Sequence, residues 1–147
     1  MKSRRRFERG SAMIELVIML PTLLLMMIGV VEVGRFAHFS MMVHNAARAG
    51  VSYGAQNMVT ATDTSGMQTA ALNDGQNLSQ LSATGSYYCK CSDGTSVSCT
   101  DGTACSGLRR IAYVQVVTSG TFSTLFNYPK IRSSLAISAT AVMRVAQ

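Results

Sequence analysis

Hydrophobic positions are distributed unevenly along the 147 residues of the chain. From Leu16 to Val31 the sequence reads LVIMLPTLLLMMIGVV, sixteen residues without a charge, and back to Ser11 only Glu15 interrupts the run. Spanning a bilayer core takes about 20 residues of helix, so the run predicts a membrane-crossing segment over about residues 12–34. Pro21 removes one backbone donor and predicts a slight kink that neighbouring helices absorb. Beyond Val31 the apolar spacing becomes three and four. Phe36, Phe39, Val43, Ala46, Gly50 and Tyr53 form one stripe, with Arg35, His38, Met42, Asn45 and Arg48 mostly off it. The helix is therefore expected to continue from Ala12 to Ala55, roughly 65 Å at about 1.5 Å per residue. Its stripe changes from aromatic to small. Ala46, Ala47, Ala49 and Gly50 admit a close backbone, either that of the protein's own sheet or that of another subunit.

Residues 56–86 are rich in Ala, Thr, Ser, Gly, Gln and Asn and carry no strong period. Asp63-Thr64-Ser65-Gly66 reads as a turn. A helix is expected within 67–81, with Met67, Ala70, Ala71, Leu78 and Leu81 as its apolar positions and Asp74-Gly75 breaking or ending it. From Tyr87 the pattern becomes strand-like. Arg110 to Thr118 is rich in Ile, Tyr and Val. Ser119-Gly120 allows a bulge or bend within a longer stretch reaching Phe126, and Asn127-Tyr128-Pro129 terminates it, because proline cannot donate to a ladder. Leu135, Ile137, Ala139, Ala141, Met143 and Val145 alternate with the residues between them, which predicts a strand whose odd positions face a core. Two or three antiparallel strands covered by the long helix make a small α+β domain; a two-stranded ribbon alone is marginal in water.

Charge changes this picture in one place. Charged residues are 14% of the chain and the formal net charge is +6. Lys2, Arg4, Arg5, Arg6 and Arg9, less Glu8, give the first ten residues +4, leaving +2 for the other 137. A basic leader before an apolar run, with only Arg35 close behind it, orients a single pass with the N-terminus in the cytoplasm. The same topogenic role explains Arg4-Arg5-Arg6 better than nucleic-acid binding does. No A-x-A-like site follows the run, where Glu32-Val33-Gly34-Arg35 stands instead, which argues against a cleaved secretory signal peptide. A plain anchor leaves Glu15 unexplained. An acidic residue at the centre of a membrane helix costs about 2.5–3.5 kcal/mol, and less near its end, so such a residue usually has a function.

Cys89, Cys91, Cys99 and Cys105 fall within seventeen residues. An even number of cysteines in a small domain beyond a membrane segment predicts two disulfides in an oxidising compartment. With Asp93-Gly94 as a hairpin turn, the preferred pairing is nested, Cys91–Cys99 inside Cys89–Cys105. Cys89–Cys99 with Cys91–Cys105 is the close alternative. A four-cysteine zinc knuckle is the rival, but the paired C-x-x-C spacing it requires is absent. His38 and His44 are six apart and do not share a helix face, so no metal site is expected there. No catalytic residue is assigned. Ser–His–Asp chemistry lacks a histidine outside the long helix. Asp63, Asp74, Asp93 and Asp101 lie in turn contexts that explain them. Gly94, Gly102 and Gly107 lack phosphate-loop spacing. No cofactor is implied.

Arg9-Gly10-Ser11-Ala12-Met13-Ile14-Glu15-Leu16 resembles the processing site of type IV pilin-like proteins. Gly10, Glu15, Pro21, Gly29, the Glu32-x-Gly34-Arg35 turn and Asn45-Ala46-Ala47-Arg48-Ala49-Gly50 extend the likeness to the TadE-like minor pilins or pseudopilins of tight-adherence (Flp-type) pilus systems, over roughly residues 8–55. Leu16 stands where the major Flp pilins often have tyrosine, and those chains are much shorter, which favours the minor class. The resemblance implies that a prepilin peptidase removes residues 1–10 by cutting between Gly10 and Ser11. It implies a membrane and stalk helix over 11–57 and an extracytoplasmic α+β domain over 58–147. Glu15 is then an assembly carboxylate, and Pro21, Glu32, Gly34, Arg35, Ala46, Ala47, Arg48 and Gly50 are helix-packing positions. The implied partners are the peptidase, TadF-like and Flp-type pilin subunits, the inner-membrane assembly platform and the lipid bilayer, with no nucleic acid. The competing function is an unprocessed, membrane-anchored extracytoplasmic binding or envelope-complex protein.

Overall fold

A computed structural model describes residues 5–100, 105–126 and 132–146, with side chains from Met13 onward. Its first element is one helix, α1, Arg5–Gly54, which runs through Pro21. The chain divides into two units, Met1–Ala37 and His38–Gln147. In the second unit, two short helices, α2 (Met58–Thr62) and α3 (Thr64–Asp74), precede four strands: β1 (Ser82–Cys91), β2 (Ser96–Val97), β3 (Arg110–Ser123) and β4 (Ser134–Arg144). The strands form one antiparallel sheet in the order β2-β1-β3-β4. The expected α+β class holds, with four strands in place of two or three. The first strand starts at Ser82, five residues before Tyr87.

The outer part of α1 buries Val43, Ala46, Ala47, Gly50, Val51 and Gly54. That spacing of three and four is the core-facing stripe. Phe39 and Tyr53 are half-buried, whereas Phe36, the first residue of the predicted stripe, stays 39% exposed. The small residues have a defined purpose. A Cβ on Gly50 would stand 2.9 Å from the carbonyl oxygen of Met67 and 3.1 Å from both methyls of Val116, and one on Gly54 would collide with the Met67 sulfur. The Thr118 hydroxyl, fully buried, donates to the Val43 carbonyl at 2.8 Å. The Phe39 and Phe122 rings meet edge to face, with centroids 5.7 Å apart.

Capping makes helices out of the loop-like composition after Gly54. The Asn57 side chain accepts from the backbone N–H of Val59 and Thr60, and the Thr60 hydroxyl accepts from the Asn57 N–H, a reciprocal capping box. Asp63-Thr64-Ser65-Gly66 is not a free turn but the cap and first turn of α3. The Asp63 carboxylate accepts from the Gly66 N–H, the Ser65 hydroxyl and the Tyr53 hydroxyl at 2.8–2.9 Å. These donors, Gly66 foremost, hold the carboxyl below its ordinary range, and the bond to Asp63 raises the Tyr53 phenol. The predicted 67–81 helix is thus shifted to 64–74. It ends where Asp74-Gly75 was expected to end it, with Gly75 as the C-cap donating its N–H to the Ala71 carbonyl.

Two strand expectations are corrected. No bulge occurs at Ser119-Gly120, because the β3–β4 register continues unbroken from Tyr113↔Arg144 to Ser123↔Ser134. Gly120 is instead the place where the Phe39 ring presses on the sheet, 3.1 Å from where a Cβ would stand. β3 ends at Ser123, short of Phe126, and Asn127-Tyr128-Pro129 lie outside the described residues. In β4, Ile137, Ala139 and Ala141 turn inward as predicted, as does Val145 just beyond it, but Leu135 and Met143 are 49% and 43% exposed. β4 is the last strand of the sheet, so side chains near its ends have a strand neighbour on one side only.

The cysteines form two disulfides, Cys89–Cys99 and Cys91–Cys105, so the nested pairing is replaced by the alternative and no thiol remains for zinc. The hairpin register decides this. Gly94, at φ +92°, lets a three-residue turn close with Cys91 opposite Thr95. Cys89 then faces Val97, and Cys99 falls two residues beyond it, beside Cys89. Cys91 lies four positions from any register with Cys99, beyond the usual limit of about 7 Å between bridged Cα atoms.

Digestion of the unreduced chain after Lys90 and Arg109 and before Asp93 and Asp101 tests the pairing. The Cys89 peptide is expected linked to residues 93–100, and the dipeptide 91–92 to residues 101–109; the nested pairing exchanges these partners. A second prediction concerns Gly50. Replacing glycine by alanine inside a helix normally stabilises by about 1 kcal/mol. Gly50→Ala is expected to do the opposite, by about 1–3 kcal/mol, because the methyl meets backbone that cannot rotate away. Gly29→Ala and Gly34→Ala, where a Cβ meets nothing within 4 Å, should not lower the melting temperature of the detergent-solubilised chain.

Candidate functional site in the amino-terminal helix

Gly10 and Ser11 both lie within α1, so the predicted processing bond sits in helical backbone at the head of the apolar run. One turn later Glu15 is exposed, with Met13, Ile14, Leu16 and Val17 around it, each at least 60% exposed. The exposure continues through Ile18, Met19, Leu20, Leu23, Leu24, Leu25, Met26 and Met27 to Val33. Leucine, isoleucine and methionine in such number are rarely left uncovered on a protein in water. By length and composition this helix is able to cross a membrane, and none of its most apolar stretch is covered by the protein's own fold. It is an N-terminal apolar segment of the kind that serves as a membrane anchor or signal.

At the far end of the run Arg35 Nη1 contacts Glu32 Oε2 at 3.1 Å, one helical turn apart, with the Glu32 side chain only 14% exposed. Residues three apart share a helix face, which is what lets these two pair. Gly29 and Gly34 differ from Gly50 and Gly54, since nothing in the fold limits the size of a side chain at either position.

The predicted packing residues thus fall into two groups. Ala46, Ala47 and Gly50 are enclosed by the chain's own sheet and helices, leaving no surface there for a neighbouring subunit. Pro21, Glu32, Gly34 and Arg35 are not taken up by that core. Arg48 is exposed on the opposite side of the helix from the small residues. With His44, one turn before it, Arg48 lines a cleft of about 330 Å³ with Val51 and residues Thr140 to Met143 of β4. Sequence reasoning placed Arg48 off the apolar stripe and considered His44 only as no metal partner for His38, and did not bring the two together with a strand end. Their spacing of four was the available signal.

No curated protein and no solved structure matches the chain. A family model described as TadE-like protein matches residues 10–52, the span from the predicted processing glycine almost to the end of α1. It is this helical segment, Gly10 to Ser52, that is similar to the TadE-like protein family.

Proposed function

We propose that the chain is a minor pilin-like, or pseudopilin, structural subunit for assembly of a tight-adherence (Flp-type) type IV pilus. The observation that carries this reading is the TadE-like match over residues 10–52, which coincides with an apolar helix that the protein's own fold leaves uncovered. In this reading α1 is held in the inner membrane with its basic leader in the cytoplasm, and the disulfide-bonded sheet lies outside, in an oxidising compartment. A prepilin peptidase adds water across the Gly10–Ser11 peptide bond. The carboxylate leaves with the leader, and Ser11 becomes a free amine at the head of the helix. Glu15 then offers a carboxylate of opposite charge to the Ser11 amine of a neighbouring subunit. Neither charge is comfortable alone in hydrocarbon, so pairing fixes one helix at a defined height against the next. The partners are the peptidase, TadF-like and Flp-type subunits, the assembly platform and the bilayer. The role is structural rather than enzymatic.

The first test is the N-terminal residue and intact non-reduced mass of the protein from its native membrane. A chain beginning at Ser11, lighter by the ten-residue leader and by the four hydrogens of two disulfides, is expected. A chain still beginning at Met1 in cells with a working prepilin peptidase favours the unprocessed anchored binding protein instead. Two variants separate processing from assembly. Gly10→Leu should block cleavage. Glu15→Ala should be cut normally yet fail to support piliation, and unchanged piliation there removes the pairing role.

A further inference from the structure

The free edge of β4 lacks the devices that keep exposed strand edges from pairing. Natural edge strands are kept short, broken by proline or a bulge, or marked with charge. β4 has eleven residues, SLAISATAVMR, with no proline and with Arg144 as its only charge. Its register to β3 is unbroken. Val142 is 47% exposed, besides Leu135 and Met143. Among the described residues, the backbone of Ser134–Arg144 makes no backbone hydrogen bond beyond its ladder with β3, and the one side-chain bond it accepts, from the Thr118 hydroxyl to the Ala139 carbonyl, comes from β3 as well. A row of backbone donors and acceptors therefore stands open.

What flanks this edge selects the occupant. The cleft along Thr140–Met143 is walled on the α1 side by His44 and Arg48. Both are exposed, and neither forms a hydrogen bond or ion pair with a described residue. Arg144 adds a third basic group at the end of the strand. No acidic residue lines the cleft. A second copy of this chain is a poor match, because none of its strands contains an aspartate or glutamate.

We infer that β4 is a docking edge for an extended segment of a different polypeptide, which adds as a fifth strand and presents carboxylates to Arg48 and His44. The backbone ladder supplies affinity, and the alternate side chains facing α1 supply selection. This surface does not depend on cleavage at Gly10 or on the role of Glu15, so it stands or falls separately from the pilin reading.

The test uses the full chain in detergent micelles and two blocked peptides. One is Thr-Glu-Val-Glu-Val-Glu-Val-Thr, whose alternation puts all three glutamates on one face. The other has lysine in place of each glutamate. Residue-resolved amide hydrogen exchange is read over 134–144. The acidic peptide is expected to slow exchange at alternate β4 amides, while the lysine peptide leaves them unchanged. Arg48→Glu, on an exposed position that should leave the melting temperature intact, should weaken the acidic peptide about fivefold, the scale of one exposed charge pair. The inference is overturned by any of three results: no β4 protection at millimolar acidic peptide, equal protection by both peptides, or protection indifferent to Arg48→Glu.

Discussion

The approach of α1 to the sheet at Gly50 fixes the geometry of the outer unit. Three elements meet there, and the room left for a side chain is bounded by the Met67 carbonyl and both Val116 methyls. Two turns earlier, the buried Thr118 hydroxyl takes the Val43 carbonyl as its acceptor. An unpaired hydroxyl at that depth would cost about 1–3 kcal/mol, so the bond sets the height of the helix against β3, while Gly50 sets its rotation. A turn of one residue, about 100°, would swing a neighbouring side chain into a space that admits none. With rotation fixed, Arg48 and His44 face the border of β4 and Tyr53 reaches Asp63. The cleft beside β4 and the start of α3 are both consequences of one close contact.

A similar economy governs the disulfides. The turn at Ser92-Asp93-Gly94 is held by the Cys91–Thr95 and Cys91–Gly94 backbone bonds and by the Asp93 side chain, which accepts from the Thr95 N–H. That turn sets the register, and the register brings Cys99 beside Cys89. Cys91, at the strand end, is left to bridge out to Cys105. The bridges limit the freedom of a Gly/Ser/Thr-rich loop whose own core is thin, and each is worth about 2–4 kcal/mol in chain-entropy terms.

What was legible in the sequence follows from the strength of period. The apolar run, the outer stripe of α1 and the alternation through Ile137, Ala139 and Ala141 each repeat often enough to declare an element. The failures lie where one residue type serves two geometries. Asp63-Thr64-Ser65-Gly66 suits a turn and a helix start equally, and Tyr53, ten residues earlier, contributes to the choice. Ser119-Gly120 suits a bulge, but the reason for Gly120 is the ring of Phe39, a contact no local window contains. Asp93-Gly94 announced the hairpin correctly, yet its loop length, not its existence, decided which cysteines met. In the candidate site, the one-turn spacing that lets Glu32 and Arg35 pair was readable because it is local. The joining of His44 and Arg48 to β4 was not, because it depends on a strand from the far end of the chain.

The glycines of α1 divide along the same helix in a way that bears on its use. At Gly50 and Gly54 the fold itself excludes a side chain. At Gly29 and Gly34 it excludes nothing, yet glycine in a helix interior is unfavourable by about 1 kcal/mol relative to alanine. Lipid tails place no such limit on size, since any apolar side chain dissolves among them. A second helix does, because small residues let two backbones approach closely in a bilayer, where packing rather than water drives association. An isolated anchor would gain from alanine at both positions. A helix that lies against others of its kind has a reason to keep glycine there.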